Sequence, residues 1–189
     1  WGGSSQGGDS SAVASDLASG VREISRTRHA FAALKDDGSV VTWGGSSQGG
    51  DSSAVASDLA SGVSKIFSTT SGFAALKDDG SVVSWGSSGG DSSSVASSLS
   101  SGVRHIVGNN YAFAAIKDDG SVITWGVGDK GGEQFARGGG LDADVSSDLT
   151  SGVSKIVAAE SAFAALKEDG TVVAWGDSYY GGSTSNSSS

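Results

Sequence analysis

The 189-residue chain has no cysteine, no proline and no methionine. Without cysteine it has no disulfides and no thiolate metal sites. Basic residues are few: 12 Lys and Arg stand against 21 Asp and Glu, a formal net charge of −9. That balance argues against nucleic acid, whose binding needs clustered Lys and Arg, and against anionic membrane surfaces. It suits solubility and would favour a basic partner. No apolar run approaches the roughly 18 residues of a membrane-spanning helix, so membrane insertion is not expected. No signal peptide is visible. The chain begins at Trp1-Gly2, in mid-repeat, and so reads as a segment of something longer whose compartment the residues leave open.

Glycine, alanine and serine dominate what is present, and they are organised in repeats. Residues 31–44 read Phe-Ala-Ala-Leu-Lys-Asp-Asp-Gly-Ser-Val-Val-Thr-Trp-Gly, and close copies stand at 73–86, 113–126 and 163–176. Two short apolar runs joined by Asp-Gly predict a β-hairpin. Glycine takes the positive φ such a turn needs, and aspartate bonds its own backbone there. Residues 1–21 and 43–63 are identical, an offset of 42. The third copy of this lead-in is two residues shorter and the fourth eight longer, while the 21 residues that follow each lead-in never change in number. Fixed length is what paired strands need, because a one-residue slip turns every side chain to the wrong face. Variable length is what surface connections tolerate.

The expected unit has three strands: a short one at 21–25, then hairpin arms at about 30–35 and 39–43. The run Phe31-Ala32-Ala33-Leu34 is apolar on both faces, as in a strand buried between stacked sheets. Between units, Asp9 or Ser10 can cap a helical turn carrying Val13 and Leu17 and ended by Gly20; an irregular outer strand is the alternative. Units fall at about 1–42, 43–84, 85–124 and 125–176, within one domain over 1–180. An insertion at 127–144 breaks the fourth unit. Residues 181–189 read as a flexible Gly/Ser-rich tail.

These residues resemble the repeat of the regulator of chromosome condensation family. The match is Val-x-x-Ile, then the hairpin string ending in Trp-Gly, then Gly-Gly. It is nearest to the family's short-repeat secreted branch, which includes a propeller-shaped β-lactamase inhibitor. There a lead-in like Val13–Ile24 and its copies from Val55, Val95 and Val145 is found. The resemblance implies β-propeller blades, most members having seven, and leans toward an extracytoplasmic setting. The chain departs from the family where a Gly and a His usually precede the second strand; Thr27 and Ala30 hold those places in the first unit. The expected class is therefore all-β: a propeller-like array of four units of about 42 residues, with three to four antiparallel strands per blade. Four units close on themselves, form an open or partial propeller, or pair as a homodimer completing a ring.

Nothing here argues for catalysis, and no cofactor or metal is expected. The recurring Trp43, Trp85, Trp125 and Trp175 read as core between blades rather than a sugar-stacking face. Pairs such as Asp36/Asp37 read as turn residues rather than Ca²⁺ ligands, having no Asp-x-Asp-x-Asp spacing. His29 and His105 occupy different places in the repeat and lack partners for a Zn site or a triad. Gly128–Gly132 lacks the Lys-Ser/Thr ending of a phosphate loop. Arg22, Arg26, Arg28 and His29 form a small basic group found in the first unit alone. The functional expectation is a non-enzymatic module that presents loops to a protein partner. Glu133, Gln134, Phe135 and Arg137 of the insertion, with Tyr179 and Tyr180, are the candidate contacts. The alternative is a structural subunit or spacer in a larger assembly.

Overall fold

Each Asp-Gly turn is locked by its own side chains. Asp37 Oδ1 accepts from the Ser39 backbone N–H at 2.9 Å and from the Ser39 hydroxyl at 2.7 Å, and Gly38 takes φ 77°. Asp79/Ser81, Asp119/Ser121 and Asp169/Thr171 repeat the arrangement. Those bonds hold the second aspartate of each pair below the usual carboxylate range, led by the hydroxyl. They also tie Ser39 into the turn, so the third strand runs Val40–Gly44 and not 39–43.

The computed structural model describes residues 3, 7–87, 89–132 and 145–182. These form four antiparallel three-stranded sheets, each a meander of consecutive strands. The first blade is β1 (Val21–Arg26), β2 (Ala30–Lys35) and β3 (Val40–Gly44). The second is β4 (Val63–Ser68), β5 (Gly72–Lys77) and β6 (Val82–Gly86). The third is β7 (Val103–Gly108), β8 (Ala112–Lys117) and β9 (Val122–Gly126). The fourth is β10 (Val153–Ala158), β11 (Ala162–Lys167) and β12 (Val172–Gly176). The first strand of every blade carries the same register shift, between Val21 and Glu23 in β1. The first three lead-ins carry a 3-10 turn at Ser11–Val13, Ser53–Val55 and Ser93–Val95. The helical-turn expectation therefore holds, and Asp9 takes the backbone N–H of Ser11 at 2.9 Å while the Ser10 side chain caps nothing.

The blades stack face to face. Ala30, Ala32 and Leu34 of the first pack against Leu59, Val63, Ile66, Phe73 and Trp85 of the second. The same contact set recurs between second and third and between third and fourth. Alanines in the middle strand leave room for the close approach, and Ala32 and Ala74 are fully buried. Trp43, Trp85, Trp125 and Trp175 each stack on the phenylalanine opposite in the same blade, at 5.2 to 5.4 Å. The tryptophans of the second, third and fourth blades belong to the clusters between blades, as expected of core residues.

Backbone bonds sew the blades together. Val63, Val103 and Val153 donate to Gly38, Gly80 and Gly120; Val40, Val82 and Val122 donate to Leu59, Leu99 and Leu149. On the inner side Arg28 N–H donates to Thr70, Thr70 to Asn110 and Asn110 to Glu160, at 2.8, 3.0 and 3.1 Å. The array does not close: the outer faces of the first and fourth blades stay exposed, making an open propeller of four blades.

One connection breaks the pattern. Trp43, Trp85 and Trp175 donate their indole N–H to Gly7, Gly49 and Gly131, and Thr42 and Thr124 donate to Gly50 and Gly132. The equivalent donors along the connection at 87–90 are Trp125 Nε1 and Ser84 Oγ, and both are buried without a partner. This is the connection two residues short. Among its described residues there is no counterpart of the 3-10 turns Ser46–Gln48, Gly128–Lys130 and Ser178–Tyr180. Gly89 and Gly90, at the places of Gly49 and Gly50, accept from neither donor.

Candidate functional site

Because the strands are antiparallel, each blade has two edges. The Asp-Gly turns lie along one. The other carries the inner loops at 27–29, 69–71, 109–111 and 159–161 together with the connections that follow each Trp-Gly. The bonds Gly45 N–H to His29, Ser87 to Ser71, Val127 to Tyr111 and Asp177 to Ser161 hold loop and connection side by side.

Tyr179 and Tyr180 sit on this second edge, in the 3-10 turn Ser178–Tyr180. Asp177 Oδ1 accepts from the Tyr179 backbone N–H at 3.0 Å, and Gly181 ends the turn at φ 90°. The two rings meet edge to face at 5.3 Å, and Tyr179 is 89% exposed. The insertion begins beside them. Lys130 Nζ lies 2.6 Å from Asp177 Oδ2 and 3.4 Å from Asp129 Oδ2. Lys130's carbonyl accepts from Asn109 Nδ2 at 2.6 Å. The hydrogen bond that Lys130 donates to Asp177 raises the lysine pKa and lowers that of the aspartate. Glu133, Gln134, Phe135 and Arg137 lie outside the described residues. The structure therefore brings the root of the insertion and the tyrosine pair onto one edge, which the sequence alone did not join.

The remaining sequence candidates separate. Arg22 is an inter-blade clasp, donating to the Val63 and Ser64 carbonyls at 3.0 and 3.1 Å. Arg104 does the same for Val153 at 2.9 Å. Arg26 and Arg28 face an open axial cavity of about 680 Å³, with Thr70, Asn110 and Glu160 on its other walls. His105 stands edge-on to Phe67 at 5.7 Å, and Lys65 Nζ lies 5.3 Å from that ring. Partial desolvation, with Lys65 and Arg104 nearby, lowers the His105 pKa. Periodicity gave no sign of this Lys65–Phe67–His105 group, because Phe67 and His105 occupy different repeat positions in different blades. Among the described residues no group of three or more His, Asp or Glu is placed to hold a metal ion, and no helix is long and apolar enough to cross a membrane.

Solved propellers superpose on these blades. Human WBSCR16 matches with a TM-score of 0.55 and 21% identity over 85% of this chain and 48% of its own. Yeast RCC1 (Prp20), solved bound to Kap60, gives 0.58 and 17% over 82% and 43%. Prp20p from Saccharomyces cerevisiae gives 0.54 and 16% over 78% and 42%. The fold is that of the RCC1 propellers. At this identity the likeness carries the RCC1 fold and not the family's secreted branch or its functions. The chain spans less than half the length of these propellers. The scan of family models found no match, and neither did the search of curated proteins.

Proposed function

We propose that the chain is a non-enzymatic protein-binding module that engages its partner along the edge carrying the insertion and the tyrosine pair. The observation that carries this reading is the exposed Tyr179–Tyr180 pair, fastened beside the insertion's root by the Lys130–Asp177 bond. Tyrosine gives large, amphipathic contact area at low rotamer cost, and it anchors interfaces when its surroundings are fixed. Phe135, with Glu133, Gln134 and Arg137, extends the contact from the insertion. Two neighbours in fold support the class of function. Yeast RCC1 was solved with Kap60, and Prp20p was studied for its binding to Gsp1p and histones.

The test is affinity capture from the source cells with quantified recovery, comparing the parent chain with Tyr179→Ala/Tyr180→Ala and with Phe135→Ala. Loss of the same bound protein in both variants, with retention in Asp78→Ala on the opposite edge, is the expected result. Equal recovery in all four sinks the proposal. A second reading, a unit of a larger assembly, is favoured by the uncovered outer faces of the first and fourth blades.

A further inference from the structure

Trp125 Nε1 and Ser84 Oγ are the two buried side-chain donors without a partner among the described residues. Trp125 stacks on Phe113 at 5.3 Å and 27°, as Trp85 does on Phe73 at 5.2 Å and 28°. Its indole therefore keeps the pose that sends the Trp85 N–H back to Gly49 in the preceding connection. Trp125 is only 1% exposed, so water in the bulk does not replace that bond. Ser84 stands where Thr42 bonds Gly50 and Ser52. Both donors belong to the second and third blades, which have a blade packed on either side.

The backbone of the short connection differs to match. Gly90 N–H closes on Ser87, three residues back, whereas Gly50, Gly132 and Gly182 close over five residues, on Gly45, Val127 and Asp177. Gly89 also stands farther from the aromatic wall. A Cβ on Gly49 or Gly131 would meet the ring of Phe73 or Phe163 at 2.6 or 2.7 Å, and one on Gly89 meets Phe113 at 3.2 Å. Two open grooves flank this connection, and Ser87 lines both. The first, of about 470 Å³, is lined by Ser84, Ser52 and Asp51 among others. The second, of about 300 Å³, is lined by Trp125, Ser93 and Asp91 among others. Asp51 and Asp91 are exposed, and no Lys or Arg among the described residues lines either groove.

We propose that these two grooves bind an extended peptide segment of a protein partner, which lays backbone carbonyls against Trp125 Nε1–H and Ser84 Oγ–H and a basic side chain beside Asp51 and Asp91. Burying a donor without an acceptor is unfavourable, and a ligand that supplies the acceptor relieves that cost on binding. The chain itself shows which acceptor fits. Trp43, Trp85 and Trp175 bond the carbonyls of Gly7, Gly49 and Gly131, and Thr42 and Thr124 those of Gly50 and Gly132. The places are thus shaped for main chain carrying little side chain, and Gly86, Gly126 and Gly132 in the groove walls leave width for it. A carboxylate would also satisfy the donors, but it would face Asp51 and Asp91, so charge selects a neutral or basic segment. The grooves lie on the edge that carries the connections, and the proposal rests on the reading of that edge as partner-binding. It adds a contact separate from the tyrosine pair, which lines neither groove.

The experiment is an NMR titration of the full chain, labelled with heavy nitrogen, with the blocked peptide acetyl-Ser-Ser-Gln-Gly-Gly-Lys-amide. Its first five residues are those of Ser46–Gly50, whose carbonyls serve Trp85 and Thr42. The Trp125 indole signal, identified by its loss in Trp125→Phe, is expected to move downfield and saturate at millimolar peptide while that of Trp175 stays. Affinities are read at the Ser87 amide, which every variant keeps. A chain with Ser-Gln inserted after Ser87, which restores the longer connection, is expected to bind about tenfold more weakly, and Trp125→Phe about threefold more weakly. Glutamate in place of the peptide's lysine is expected to weaken binding as well. Tyr179→Ala/Tyr180→Ala is expected to bind the peptide as the parent does, so failure at the tyrosine pair and failure here are told apart. A Trp125 signal that the peptide does not move, equal affinity in both the inserted chain and Trp125→Phe, tighter binding of the glutamate peptide, or an indole N–H held by a long-lived water with and without peptide overturns the proposal.

Discussion

Lys130 Nζ and Asp177 Oδ2, 47 residues apart in the chain, lie 2.6 Å from each other. The bond joins the start of the insertion to the turn that carries Tyr179 and Tyr180, and it ties the third blade's outgoing connection to the fourth's. Neither residue belongs to the repeated string, so this pair is specific to one edge of the fourth blade.

The pair has a pH signature. Lys130 holds the Asp177 carboxyl below its ordinary value. The stabilisation is then present above the unfolded carboxylate pKa of about 3.9, and it is lost as pH falls through the lower folded value. Carbon-detected NMR of the Asp177 carboxyl is expected to give a midpoint below about 3.9, moving up in Lys130→Ala. An unmoved midpoint in that variant contradicts the pairing.

The short connection predicts an asymmetry among equivalent tryptophans. Trp175→Phe removes a buried hydrogen bond to Gly131 as well as ring volume, whereas Trp125→Phe removes an N–H that has no partner. Trp125→Phe should cost about 1 kcal/mol less than Trp175→Phe in urea unfolding, and inserting Ser-Gln after Ser87 should stabilise the parent by about 1–3 kcal/mol. Equal costs for the two tryptophans would remove the argument.

Gly120 and Gly170 occupy the same turn position with φ 77° and 86°. An alanine at either pays left-handed backbone strain of about 1–2 kcal/mol. At Gly120 it also meets the backbone N of Gly152 at 2.7 Å, a contact that Gly170 does not have. Gly120→Ala is expected to lose about 2 kcal/mol more than Gly170→Ala in urea unfolding of the same chain, given the cost of overpacking a well-packed site.

His105 contributes at higher pH. Its folded pKa is lowered by partial desolvation and by Lys65 and Arg104. Its contribution is fully present above the unfolded value of about 6.5 and falls away as pH drops through the folded one. The thermal midpoint of the parent should decline as pH falls from about 6.5 to 5, with a smaller decline in His105→Gln. Parallel profiles contradict the assignment.

The hairpins, their turns and the stacking of blades were legible because each is written four times in residues whose physics is local. Asp-Gly-Ser sets the turn, and Phe-Ala-Ala-Leu sets a strand wet on neither face. The openness of the array was not legible, since Ile24 and Ile66 are the same residue in the same string and differ only in whether a blade packs ahead of them. The orphaned Ser84 and Trp125 were hidden too: the two-residue deletion was plain, but its consequence needs the glycine carbonyls of the longer connections for comparison. At the candidate site the sequence singled out Tyr179, Tyr180 and the insertion separately. Only the fold places Lys130 against Asp177 and so brings them to one edge.

The most direct test of the binding account replaces Tyr179 with a photo-crosslinking phenylalanine in the full chain, with the same replacement at Asp118 on the opposite edge as control. Irradiation in source-cell extract is expected to yield one dominant protein adduct from position 179, absent from position 118 and lost when Phe135 is changed to Ala. Adducts of equal yield from both positions, or an adduct from position 179 that survives the change at Phe135, would contradict it.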